Sequence, residues 1–125
     1  MPLARHIQDR FVAACPPGWT CEAEAAVIQP ATERLLGYAP RADLLLTQVE
    51  QGRRVWVELE ISRADPVANH AKFATSHLAE PFPAGDTFVS MVSRHVVRGR
   101  RNLASHTIAL MRMAGMRAFQ SFRSE

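Results

Sequence analysis

The sequence predicts an α/β domain in which a mixed central sheet is flanked by helices. Three observations predict it. Leu3, Ile7, Phe11 and Ala14 recur at spacings of four, four and three, one helical stripe at the start of the chain. RADLLLTQV and VWVELEIS are two strand-like runs separated by QGRR, the pattern of a β-hairpin over residues 41–62. Beyond the hairpin, helical and strand-like segments alternate to the end of the chain.

Each element has its own local warrant. The first helix, residues 2–14, is ended by CPPG, because proline lacks an amide donor and glycine supplies turn geometry. Residues 19–28 alternate Cys21, Ala23, Ala25 and Val27 against Glu22 and Glu24, a strand pattern. QPATERLLGYAP is bracketed by prolines and holds at most one helical turn, at 32–36. After the hairpin, Asp65 caps a helix whose first residue is Pro66 and whose expected inward stripe is Val67, Ala71, Ala74 and Leu78. PFPAG ends that helix, and residues 87–92 form an apolar strand. RHVVRGRR is then a basic connection to a helix from Asn102 to Ala114, closed by Gly115. MRAFQSF, residues 116–122, is a last strand. The expected order is αβββαβαβ, with no internal repeat.

A chain of 125 residues, 47% of them hydrophobic and 22% charged, is one domain that buries a core and does not read as disordered. The net charge of +3 permits a polyanionic partner without requiring one. No run approaches the ~18 apolar residues of a membrane span, and MPLARHIQDRF carries charges where a signal peptide needs an apolar centre. Cys15 and Cys21 are too few and too close for a disulfide framework or a zinc site. They read as small buried residues, with a reducing cytoplasm as the simplest setting.

The hairpin's second strand raises a chemical question. Side chains alternate along a strand, so Trp56, Glu58, Glu60 and Ser62 share one face. Two carboxylates about 7 Å apart at the backbone resist ionisation together when desolvated, and call for positive charge. A divalent cation such as Mg²⁺ would supply it, with Asp43 joining Glu58 and Glu60 across the hairpin as a third oxygen donor. The alternative is a solvated face on which these acids pair with Arg41, Arg53, Arg54 or Arg63. Lys72 bears on the choice: it is the one lysine beside fourteen arginines, and its compact ammonium can orient water or stabilise phosphate charge.

Asp43 in RADLLL, Glu58 in VELEIS and this order of elements resemble the PD-(D/E)XK nuclease superfamily, with its restriction-endonuclease-like fold. The resemblance spans essentially the whole chain, although the motif is short and degenerate. It implies an αβββαβ core and hydrolysis of a nucleic-acid phosphodiester, DNA before RNA, with Mg²⁺ or Mn²⁺ held by Asp43, Glu58 and Glu60. The chain departs from the motif where Glu60 stands in place of lysine. Some members carry glutamate there, and others move the lysine to the following helix, where Lys72 lies. Glu60 is then a further ligand or general base, and Lys72 stabilises the transition state or orients water. Glu24 and Asp9 are weaker candidates for an added acid.

Arg94, Arg98, Arg100 and Arg101, with His95, form the densest basic run and read either as DNA-backbone contacts or as a charged loop. His70, His77 and His106 read as structural or surface residues, and Ser62 and Ser105 lack a nucleophile's setting. The expectation is a metal-dependent endonuclease acting as a homodimer, since one small site cuts one strand. The rival is a nuclease-like domain without catalysis that serves as a DNA-binding or assembly subunit.

Overall fold

The computed structural model describes residues 3–61 and 65–122; the expectations placed on Pro2, Ser62 and Arg63 lie outside these residues. The order is α1 (Leu3–Ala13), β1 (Trp19–Ala26), α2 (Pro30–Leu36), β2 (Arg41–Gln48), β3 (Arg54–Glu60), α3 (Pro66–Ala79), β4 (Thr87–Val92), α4 (Arg98–Met113) and β5 (Ala118–Phe122). The five strands form one sheet in the order β1-β2-β3-β4-β5. β1, β2 and β3 are an antiparallel meander, and β3, β4 and β5 run parallel. The change of direction falls where the chain inserts a helix, because only a crossover returns a strand in the same direction.

Two apolar layers hold the sheet. On one face Trp56, Phe88 and Ala118 pack with Phe73 of α3 and with Ile108 and Met111 of α4. On the other, Leu44, Val57 and Leu59 meet Ile7 and Phe11 of α1. Of the predicted stripe only Ile7 and Phe11 pack on the sheet; Leu3 and Ala14 are exposed, and Gln8 is the buried residue of α1. Trp56 and Glu58 share the α3 face of β3, as strand alternation requires.

Several expectations are corrected. α2 is a seven-residue helix where at most one turn was expected; Pro30 lies at its start and Gly37 closes it at φ 81°. Asp65 does cap α3, accepting from Ala68 N–H at 3.4 Å. The buried residues of α3, however, are Pro66, His70, Phe73 and Ser76, while Leu78 is 75% exposed. Phe73 takes the inward position because its ring stacks over Phe88, 4.5 Å between centroids. The stripe of Val67, Ala71, Ala74 and Leu78 instead lines a groove against Leu110 and Met111 of α4. α4 begins at Arg98, four residues before Asn102, so most of the basic run is helical. β5 begins at Ala118, and Met116 is a buried loop residue.

β1 departs from simple alternation at Glu24, whose φ is 54°. The left-handed backbone turns Ala23 towards the Leu44 layer and Ala25 into the Trp56 layer, although an unbroken strand would place both on one face.

Cys15 and Cys21 are joined as a disulfide, not separate thiols. The bond ties the end of α1's connection to β1 across a sequence separation of 6. Replacing both by serine is expected to lower unfolding free energy by about 2 kcal/mol, since only a short loop is closed. Denaturant titration of the oxidised protein and the Cys15→Ser/Cys21→Ser variant checks this.

Candidate active site at the open end of the hairpin

The β2–β3 ladder pairs Thr47 with Arg54 through to Leu44 with Val57, and goes no further. At the next position the two acids take the place of backbone carbonyls. Asp43 N–H donates to Glu58 Oε2 at 3.0 Å, and Leu59 N–H donates to Asp43 Oδ2 at 2.7 Å. Each carboxylate satisfies a backbone donor of the opposite strand, Glu58 that of Asp43 and Asp43 that of Leu59. Buried amides need acceptors, so this exchange fixes both side chains.

α3 lies over this opening. Lys72 Nζ donates to Glu58 Oε1 at 2.5 Å and to the Arg41 carbonyl at 2.8 Å. One turn earlier, Asn69 Nδ2 lies 3.1 and 3.0 Å from the two oxygens of Glu60. Residues three apart on a helix share a face, so one side of α3 presents an ammonium to the first glutamate and an amide to the second. The rest of the helix is anchored by Phe73 and by His70, whose Nε2 meets Ser90 Oγ at 2.7 Å and whose Nδ1 meets Thr107 Oγ1 at 2.8 Å.

Glu58 is 1% exposed and Glu60 is 0% exposed. Burial pushes the Glu58 carboxyl up to about 8, the charge of Asp43 adding to the effect while Lys72 opposes it. Burial likewise pushes Glu60 up to about 7, against the hydrogen bond from Asn69. Burial lowers His70 to about 4, so it is a neutral core histidine, in keeping with its structural reading.

Of the residues singled out from sequence, Asp43, Glu58 and Lys72 come together, with Glu60 beside them but turned to Asn69. Among the described residues, no three His, Cys, Asp or Glu side chains converge as a metal centre. Glu24 accepts from Gln8 Nε2 at 2.6 Å, and Gln8 also donates to the Asp43 carbonyl at 2.9 Å. Asp9 pairs instead with exposed Arg5 at 3.4 Å. The α1 residue that reaches the site is therefore Gln8.

Sequence reasoning missed Gln8 and Asn69. Asn69 carried a signal, since it lies one turn before Lys72 on the same helical face. Gln8 carried a fainter one, as the polar neighbour of Ile7 on an otherwise apolar stripe. The basic run follows the C-terminal end of β4, which is parallel to β3 and pairs Val92 with Glu60. Ser93 N–H donates to the Glu60 carbonyl at 2.8 Å, so Arg94 and the first turn of α4, with Arg98, Arg100 and Arg101, follow directly from the end of β3's neighbour.

No family model matches the chain, and neither a curated protein nor a solved structure matches it. The functional reading therefore rests on this site.

Proposed function

We propose that the protein is a divalent-metal-dependent endonuclease of the restriction-endonuclease-like fold, acting on DNA. The observation that carries the reading is the placement of Lys72: the chain's one lysine reaches from α3 to Glu58, at the point where Asp43 opens the hairpin. The fold is supported by an antiparallel three-strand meander joined through a helix to a parallel strand. The donor set suits Mg²⁺ or Mn²⁺, because Asp43 and the buried Glu58 place two carboxylates side by side at the opening of the hairpin, with an ammonium on Glu58 alone. When bound, such an ion activates water and neutralises charge on the phosphate.

The chain's own residues divide the remaining work. Asp43 and Glu58 hold the cation, fixed in place by the amides they accept from. Lys72, steadied by the Arg41 carbonyl, presents its ammonium to a phosphate oxygen or to the attacking water. Arg98, Arg100 and Arg101 put three cations in the first turn of α4, a turn whose own residues include no acid. A helix macrodipole disfavours that arrangement, and a polyanion bound there relieves it. The duplex backbone would run along this end of the sheet. A homodimer, with one site for each strand, completes the proposal.

The test is nicking of supercoiled plasmid. Wild type is expected to nick with Mn²⁺ or Mg²⁺ and to stop when EDTA is added. Asp43→Asn and Glu58→Gln are each expected to lower the rate at least about 100-fold while circular dichroism stays native. Parallel assays on single-stranded DNA and RNA assign the substrate. The rival reading, a DNA-binding subunit without catalysis, is favoured by one observation: Lys72 and Asn69 already satisfy both glutamates. Salt-sensitive DNA binding with no metal-dependent cleavage of any of these substrates would establish it and overturn the enzyme.

A further inference from the structure

The two glutamates of β3 are treated differently by α3. Glu58 has one oxygen on the Lys72 ammonium and the other on the Asp43 amide, within the opening of the hairpin. Glu60 has both oxygens on the Asn69 amide nitrogen. Asn69 cannot drift from this position, because Pro66 is buried, Asp65 caps the helix start and Phe73 is packed in the core one turn later. Glu60 lies two residues beyond Glu58 on the same face of β3, so its carboxylate neighbours the acid pair. Yet no three carboxylates converge among the described residues. The side chain that holds Glu60 is Asn69.

From this geometry we infer that Asn69 is a positioning residue that keeps the Glu60 carboxylate out of the ligand set of a divalent cation, leaving Asp43 and Glu58 to hold it. The inference rests on the metal-dependent reading above and deepens it. A neutral amide does this without cancelling charge: Glu60 keeps its attraction for a cation but must break its hydrogen bonds to reach one. Asn69 therefore sets the cation's affinity below the value that three carboxylates would give. A two-carboxylate site leaves more positions for water and phosphate oxygens, as magnesium chemistry on phosphates requires.

The experiment measures Mn²⁺ binding to the purified protein by the electron paramagnetic resonance of free Mn²⁺, with calorimetry as a second readout. Asn69→Ala is expected to bind Mn²⁺ at least about tenfold more tightly than wild type, because a hydrogen bond to a charged group no longer competes. Glu60→Gln alone is expected to stay within about twofold of wild type, and the Asn69→Ala/Glu60→Gln double variant is expected to lose the gain. A merely structural asparagine would not tighten binding when removed. Unchanged or weaker binding by folded Asn69→Ala overturns the inference while leaving the metal reading intact. If Asn69→Ala does not fold, Asn69→Ser takes its place under the same two outcomes, and a loss of affinity of about tenfold in Glu60→Gln overturns the inference. Wild-type protein that binds no Mn²⁺ overturns both this inference and the metal-dependent reading, an outcome distinct from the others.

Discussion

Lys72→Met is expected to destabilise the metal-free protein by about 3 kcal/mol at pH 9 and by much less near pH 5.5, the cost of leaving one partner of a buried ion pair uncompensated. Glu58 is 1% exposed, and its nearest charged neighbours are Lys72 and Asp43. With the ammonium gone, an ionised Glu58 faces only another carboxylate. At low pH it escapes by taking a proton, which removes most of the penalty. Removing both charges, Glu58→Gln with Lys72→Met, should restore most of the lost stability at pH 9, because a buried pair often contributes little net free energy. Urea denaturation at the two pH values checks all three expectations. Equal destabilisation at both pH values would show that Lys72 acts through packing, not charge.

The second large effect is the pH dependence of the metal-free fold. Glu58 and Glu60 rise from 4.5 to about 8 and about 7, so between these values the folded chain holds more protons than the unfolded one. Their stabilisation is complete below the unfolded value and is lost as pH rises through the folded values. His70 has the opposite sign: it falls from 6.5 to about 4, so its contribution is complete above 6.5 and fades as pH falls. From 4.5 to 6.5 the histidine offsets one of the two glutamates. Above 6.5 it no longer does, so the steepest loss of stability is expected between about 6.5 and 7, with a shallower loss continuing to about 8 as Glu58 alone titrates. Thermal unfolding in EDTA across this range measures it. Glu58→Gln/Glu60→Gln should remove the alkaline loss and leave the acid limb of His70, while Mn²⁺ should flatten the wild-type curve by stabilising the ionised carboxylates.

The element pattern was largely legible. Strand alternation put Trp56, Glu58 and Glu60 on one face, and the sheet keeps them there. Asp65 and Pro66 marked the start of α3, because capping and fixed φ are local properties. What misled was a competition between two periodic faces of the same helix. Val67, Ala71, Ala74 and Leu78 form a regular stripe, yet Phe73 occupies the interior, since one ring against Phe88 and Trp56 buries more apolar surface than alanines do. The basic run was misjudged as well. The arginines read as a connection, yet Arg98, Arg100 and Arg101 form the first turn of α4, although cations at a helix start oppose the macrodipole.

The sequence by itself determined the chemical inventory: three acids on the hairpin strands, one lysine on the next helix, arginines after the fourth strand, and the α/β order that joins them. These follow from residue type and from side-chain direction within single elements. Only the tertiary structure decided how the inventory is partitioned. The hairpin ladder stops at Leu44 and Val57, which lets Asp43 and Glu58 accept each other's strand amides, and no periodicity encodes where a ladder ends. The docking of α3 gave Lys72 to Glu58 and Asn69 to Glu60. The docking of α1 on the other face joined Gln8 to Glu24 and the Asp43 carbonyl. Each of these contacts crosses between elements, where distance depends on how core side chains pack and not on spacing along the chain.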